Sequence, residues 1–188
     1  RDYSWLTKVW RRVSVSSGKN RNIAKLFSIS ANIPAFTSHF KDAKLLYMLR
    51  DPMNVLPSGL SLVTGVLDKR FNFWSLPEEK RQFYIDRLYN ALIELQIRFH
   101  DDWVNDRIDQ EKVMIVRYDR MMSNFEELMD DILKFIGHEA SEELLEAIDK
   151  TAEQQRNYES KHKYNLEKFG LTEEKIRRDC AKIYETFF

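Results

Sequence analysis

The apolar and polar positions of this chain switch between two periods. Leu45-Leu-Tyr-Met-Leu49 and Val113-Met-Ile-Val116 are short apolar runs without a polar face, the pattern of parallel strands buried on both sides. Between them, apolar residues recur every three or four positions. Asn54 to about Leu67 reads as a helix, and Ile85, Leu88, Leu92, Leu95, Phe99 and Trp103 form the stripe of a longer one. Ser75 and Glu78 have capping-box spacing, with Pro77 in the first turn, and predict where that long helix opens. Asn124 and Glu127 predict the cap of a helix over Phe125–Ile136, which Gly137 ends. Further helices are expected over roughly Ser141–Thr151 and from Thr172 to near the end, separated by a polar stretch, 153–170. Upstream, Arg12–Ser17 alternates like a strand ending at Gly18-Lys19-Asn20, and 22–39 reads as helical with a break or a second helix start at Pro34. Strands separated by helices predict a helix-rich α/β fold, a parallel sheet flanked by helices.

Composition adds bounds to this picture. At 188 residues and 43% hydrophobic, the chain is expected to form a single domain, 1–188, with its own core. Five Gly and four Pro argue against linkers and low complexity. Cys180 is the only cysteine, so no intrachain disulfide and no cysteine-based zinc cluster can form, and no metal is expected. No run of about 18 apolar residues occurs to span a membrane. A reducing compartment fits but is not required. The choice between cytoplasm and a Golgi-type lumen, reached through an upstream anchor, stays open.

Charge is balanced overall but not along the chain. Residues 1–50 hold ten Lys/Arg against two Asp/Glu, and residues 121–188 hold ten against sixteen. The basic excess surrounds the first apolar run, which ends in Arg50-Asp51-Pro52, with Ser58 eight residues after the arginine. A strand running into a helix start is where an α/β protein holds an anion, because unpaired N–H groups and the helix dipole favour negative charge there. Arg50 adds a permanently charged planar fork suited to phosphate or sulfate, and Ser58 a hydroxyl. A salt bridge from Arg50 to Asp51 is the plainer alternative. Zero net charge, with aromatic residues following core spacing instead of interleaving with the basic cluster, argues against nucleic acid as a partner.

Four segments in order resemble the sulfotransferases that use 3′-phosphoadenosine 5′-phosphosulfate. Lys44–Ser58 is similar to the family's 3′-phosphate motif, a strand ending in Arg, then Asp/Asn-Pro, then Ser eight after the Arg. Val113–Asp119 resembles the next strand and its Tyr-Glu-Asp-like end. Phe125–Gly137 resembles the following helix, closing in Phe-hydrophobic-Gly. Tyr158–Leu171, with Ser160-Lys161-His162-Lys163-Tyr164, resembles the C-terminal region of the branch with many carbohydrate and lipid sulfotransferases. The resemblance covers nearly all of 13–188 and implies a P-loop-nucleotide-fold-like domain. The family's N-terminal strand and phosphosulfate loop would precede Arg1, in an upstream segment that completes the domain. Ser16-Ser17-Gly18-Lys19 does not replace that loop, since Val13 and Asn20 stand where a P-loop needs Gly and Ser/Thr.

The resemblance also implies roles. The donor would be 3′-phosphoadenosine 5′-phosphosulfate, the acceptor a hydroxyl or amine of a carbohydrate, lipid or small molecule. Lys19 aligns with the catalytic lysine beside the sulfuryl group, where a compact ammonium stabilises the leaving oxygen. Arg50 and Ser58 would take the 3′-phosphate, Tyr118 would stack on the adenine, and Arg156, Ser160, Lys161 and Lys163 would belong to a loop closing over the phosphate. Arg21 stands where cytosolic members carry a His base and cannot accept a proton. A carboxylate, in the upstream segment or elsewhere, is one alternative base; His39 and His100 are others, each more readily read as structural or solvent-exposed. Leu67–Leu76 is a candidate acceptor wall or a buried connection, and Trp103 and Met121-Met122 are read mainly as core. A non-catalytic relative acting by binding or assembly is the rival reading. A nucleotide kinase would need a full Walker A loop and a magnesium-binding acid, and neither is visible.

Overall fold

The computed structural model describes residues 2–19, 21–158 and 165–188. Nine helices among them run in the order α1 (Asp2–Ser17), α2 (Ile33–His39), α3 (Pro52–Phe71), α4 (Glu78–Val104), α5 (Tyr118–Ser123), α6 (Phe125–Ile136), α7 (Glu142–Arg156), α8 (Glu173–Asp179) and α9 (Ala181–Phe187). Two strands, β1 (Leu45–Leu49) and β2 (Val113–Arg117), pair in parallel with Leu45 opposite Val113 and Leu49 opposite Arg117. The crossover between them carries α3 and α4, as a parallel pair requires. The fold is therefore α/β and helix-rich, with a small parallel sheet flanked by helices.

The strands fall where the apolar runs predict, yet the sheet is not buried on both faces. Leu46 and Met48 are 40% and 53% exposed, whereas Tyr47 lies face to face on the Phe99 ring of α4 at 3.4 Å. Helices pack on one face of the pair, so alternate side chains of β1 divide between core and solvent.

Two segments depart from expectation, each for a local reason. Arg12–Ser17 is not a strand but the last turns of α1. Tyr3 and Trp10 of that helix meet Phe36 and Phe40 edge-on or tilted, at 4.9–6.4 Å between ring centres. Aromatic packing along a helical face here overrides a short alternating pattern of Val and Ser. Ser75 does not cap α4. It sits in a 3₁₀ turn, Phe73–Ser75, that follows left-handed Asn72, and its N–H bonds back to the Asn72 carbonyl. Pro77 takes the cap position instead. Within residues 22–39 a 3₁₀ turn, Phe27–Ala31, precedes α2, which starts anew with Pro34 in its first turn as expected and with Asn32 capping Ala35 N–H.

The core follows the crossover. Leu56 and Leu60 of α3, Ile85, Tyr89 and Ile93 of α4, and Ile176, Cys180 and Ile183 of the C-terminal helices form one buried cluster. It takes in Phe73, with Leu67, Trp74 and Leu76 packed beside it, whereas Lys69, Arg70, Phe71, Asn72 and Ser75 of the Leu67–Leu76 segment are exposed. The seam of α4 runs through Ile85, Tyr89, Ile93 and Phe99, while Leu88, Leu92, Leu95 and Trp103 are only partly buried. A second cluster joins Ile33, Phe99, Ile108 and Val113 beneath the sheet. Burial, with Asp179 and Asp51 nearby, pushes the Cys180 thiol up to about 11, so it serves as a small apolar residue.

Tyr89 brings a hydroxyl into this core and donates it to Asp179 Oδ2 at 3.0 Å. Lys175 Nζ reaches the same oxygen at 2.6 Å, and Arg178 Nε meets Oδ1 at 3.2 Å. Burial alone would raise the Asp179 carboxyl, but these donors outweigh it and hold it below the usual carboxylate range. A carboxyl depressed in the folded state stabilises above its unfolded value near ~4, and that contribution disappears as pH falls through the folded value. Asp179→Asn is expected to cost roughly 1–3 kcal/mol at pH 7. Thermal melts of both proteins between pH 7 and 3 should show the difference shrinking toward the acid end.

Candidate functional site

The C-terminal edge of the parallel pair gathers the charged residues that the apolar strands deliver. Because Leu49 is opposite Arg117, the next residues, Arg50 and Tyr118, emerge side by side. The Arg50 guanidinium lies over the Tyr118 ring, with Cζ 4.3 Å from the ring centre. Beyond Arg50 the chain turns into α3. Asp51 caps that helix by accepting Met53 N–H at 2.8 Å, and Pro52 opens it, a position where a missing N–H costs nothing. The 20-residue helix thus starts beside Arg50, with its first-turn amides at Met53, Asn54 and Val55 bonded to Asp51 and the positive end of its dipole at this edge.

The arginines at this edge divide by partner. Arg117 grips Asp119 with both Nε (3.0 Å) and a terminal nitrogen (2.5 Å), and the Asp119 carboxyl is held below its ordinary range chiefly by that contact. Arg120 pairs with Asp131 at 2.5 Å. Arg50 pairs with no carboxylate among the described residues, and its buried Nε has no hydrogen-bond partner there. Asp51 does not neutralise it either. Its Oδ1 accepts from Met53 and from the Tyr184 hydroxyl at 2.6 Å. A buried, unpartnered charged donor is costly in a protein, and a guanidinium with no carboxylate partner keeps its charge available to an oxyanion at this edge.

The other expected site residues are placed as follows. Ser58 lies in α3, half-buried, roughly 9 Å along the helix axis from Pro52 at 1.5 Å per residue, and seven residues from Asp51, hence on the same face. Tyr118 gives one ring face to Arg50. Lys19 is exposed and follows α1 through left-handed Gly18, instead of ending a strand. Arg156 closes α7 and pairs with Glu126 of α6 at 2.6 Å. Ser160, Lys161 and Lys163 lie outside the described residues. Among the described residues, no hydrogen bond or ion pair joins Lys19 or Arg156 to the Arg50–Tyr118 pair.

Neither histidine alternative is set up as a base. His100 is buried, with Nδ1 on Asp101 at 2.8 Å and Nε2 on Thr186 Oγ1 at 3.0 Å. His39 stacks on Tyr3 at 5.1 Å. Arg21 meets His138 Nδ1 at 3.3 Å, beside the end of α6. Met121 and Met122 are partly buried in α5. Among the described residues, no group of three or more His, Cys, Asp or Glu could hold a metal ion, and no helix is long and apolar enough to cross a membrane.

Two residues of the site escape a reading by type and spacing. Asp51 is foreshadowed by the Asp-Pro pair, a familiar helix start. Tyr184 carries no local signal, since its partner lies 133 residues away. No curated protein and no solved structure matches the chain. A family model described as the sulfotransferase family matches residues 3–143, which include Lys19, β1, Arg50, Ser58, β2 and Tyr118 but not the 158–171 segment. With three quarters of its residues matched and the two strands and their cationic edge inside the match, the chain belongs to the sulfotransferase family.

Proposed function

We propose that this protein transfers a sulfuryl group from 3′-phosphoadenosine 5′-phosphosulfate to a hydroxyl or amine of a carbohydrate, lipid or small-molecule acceptor. The observation that carries the reading is Arg50, a partly buried guanidinium without a carboxylate partner among the described residues, at the mouth of a parallel strand pair. Its fork and the Ser58 hydroxyl are assigned to the donor's 3′-phosphate, with the positive end of the α3 dipole beside them. Tyr118 keeps the guanidinium plane oriented from below and, in this reading, borders the adenine. Arg156, with Ser160 and Lys161, is assigned to the segment that covers the phosphate, which requires Arg156 to exchange Glu126 for the nucleotide.

Sulfuryl transfer is an in-line displacement in which positioning and electrostatic stabilisation supply most of the rate. Lys19 is assigned to the oxygen that gains charge as the leaving group departs. The two strands are read as part of a P-loop-like sheet, with the phosphosulfate held by a segment upstream of residue 1. Mass-spectrometric detection of sulfated product, over a panel of sugar, lipid and phenolic or amine acceptors, tests the proposal. Transfer that requires the nucleotide donor is expected, and its absence across the panel, with donor bound, would favour a non-catalytic relative. That second reading draws on one observation. Lys19 follows a helix, and its neighbour Arg21 is engaged by His138 instead of a base.

A further inference from the structure

The C-terminal helix returns to both strand ends. Tyr184 donates to Asp51 Oδ1 at 2.6 Å, immediately after β1. The Phe187 carbonyl accepts from Arg117 at 2.8 Å, and the Phe188 ring lies 4.9 Å from the same guanidinium, at the end of β2. Between them Thr186 meets His100 of α4 at 3.0 Å, and Ile183 is wholly buried. Helix α9 is thus anchored at both strand ends and on α4. Its Tyr184 hydroxyl is a fixed point from which Asp51 is held.

Asp51 is the residue through which that hold reaches the anion site. Its Oδ1 is shared between the Met53 N–H of α3 and the Tyr184 hydroxyl. Its backbone lies between Arg50 and Pro52, whose ring restricts the next φ. Pinning the Asp51 side chain from both sides sets the direction in which the chain leaves β1. That direction decides where the Arg50 guanidinium rests on Tyr118 and how it faces an incoming oxyanion.

We infer that Tyr184 is a positioning residue for Arg50, acting through Asp51 to aim the guanidinium at the donor's 3′-phosphate. The inference rests on the proposed phosphate role of Arg50. Its test is calorimetric titration of the full chain with adenosine 3′,5′-bisphosphate and, in parallel, adenosine 5′-monophosphate, which lacks the 3′-phosphate. Tyr184→Phe is expected to weaken the bisphosphate about tenfold, the effect of removing one charge-assisted hydrogen bond, and to leave the monophosphate unchanged. Asp51→Asn keeps an acceptor for both donors and should bind within about twofold of the native protein, because Asn caps helices as well as Asp. Asp51→Ala loses both bonds and should bind the bisphosphate at least as weakly as Tyr184→Phe.

The opposite outcomes are distinct. Equal loss for both nucleotides, or none for either, would reduce Tyr184 to a structural contact and overturn the inference. If Tyr184→Phe does not fold, the pair Asp51→Asn and Asp51→Ala decides by the same ratio of nucleotide affinities. A native protein that binds bisphosphate no better than monophosphate would remove the phosphate role of Arg50 itself, and the positioning role with it.

Discussion

Arg50→Ala is expected to weaken adenosine 3′,5′-bisphosphate binding by about 100-fold or more, because it removes a fork able to make two charge-assisted hydrogen bonds. Each tenfold corresponds to about 1.4 kcal/mol, and two such bonds in a partly desolvated site supply roughly twice that. Stability should respond in the other direction or hardly at all. Arg50 Nε is buried without a partner among the described residues, so its removal relieves an unsatisfied donor while sacrificing a stack on Tyr118. Loss of affinity with an unchanged melting temperature therefore marks a binding residue. Arg50→Lys should recover only part of the affinity, since an ammonium keeps the charge but neither the fork nor the planar stack. Unchanged calorimetric affinity in Arg50→Ala would mean that the anion site lies elsewhere.

Phe99→Ala should be the most damaging single truncation for stability, costing about 3–5 kcal/mol, the range for deleting a buried phenyl ring. Phe99 is 1% exposed and joins three parts of the molecule. It stacks on Tyr47 of β1 at 3.4 Å and lies tilted against Trp103 of its own helix at 5.8 Å and Phe187 of α9 at 5.7 Å. The cavity left behind would separate the sheet from α4 and loosen the helix that carries Tyr184. At about 2–4 °C per kcal/mol for a chain of this size, the melting temperature should fall by roughly 10 °C. Met48→Gln, on the exposed face of β1, is the control and should stay within about 0.5 kcal/mol of the native protein. A Phe99→Ala melt as high as that of Met48→Gln would contradict the packing described for the sheet.

Local chemistry was legible wherever one period or one residue type dominated a segment. The strands, the helix over Phe125–Ile136 and its end at Gly137 lie at the expected residues. An apolar run bounded by charges, or a glycine able to take φ of 61°, leaves few alternatives. Segments with two readings were decided by their neighbours. Val and Ser at 13–16 suit a strand, but α1 gains rings to pack against on α2. Ser75 suits a cap, but a 3₁₀ turn after Asn72 claims it first. The candidate site divides in the same way. Arg50 could be chosen from its place after β1, whereas its freedom from Asp51 depends on Tyr184 drawing that carboxylate away.

By itself, then, the sequence determined the two apolar strands, the helix-rich α/β class, the Arg50–Ser58 spacing and the resemblance that the family match bears out. These are properties of short segments, where side-chain period and residue type act directly on the backbone. Tertiary structure decided that Arg50 and Tyr118 stand together, that Arg117 and Arg120 are compensated while Arg50 is not, and that α9 holds the turn between them. Those outcomes require residues far apart in the chain to meet. Strand register and helix packing bring them together, and no local pattern encodes either.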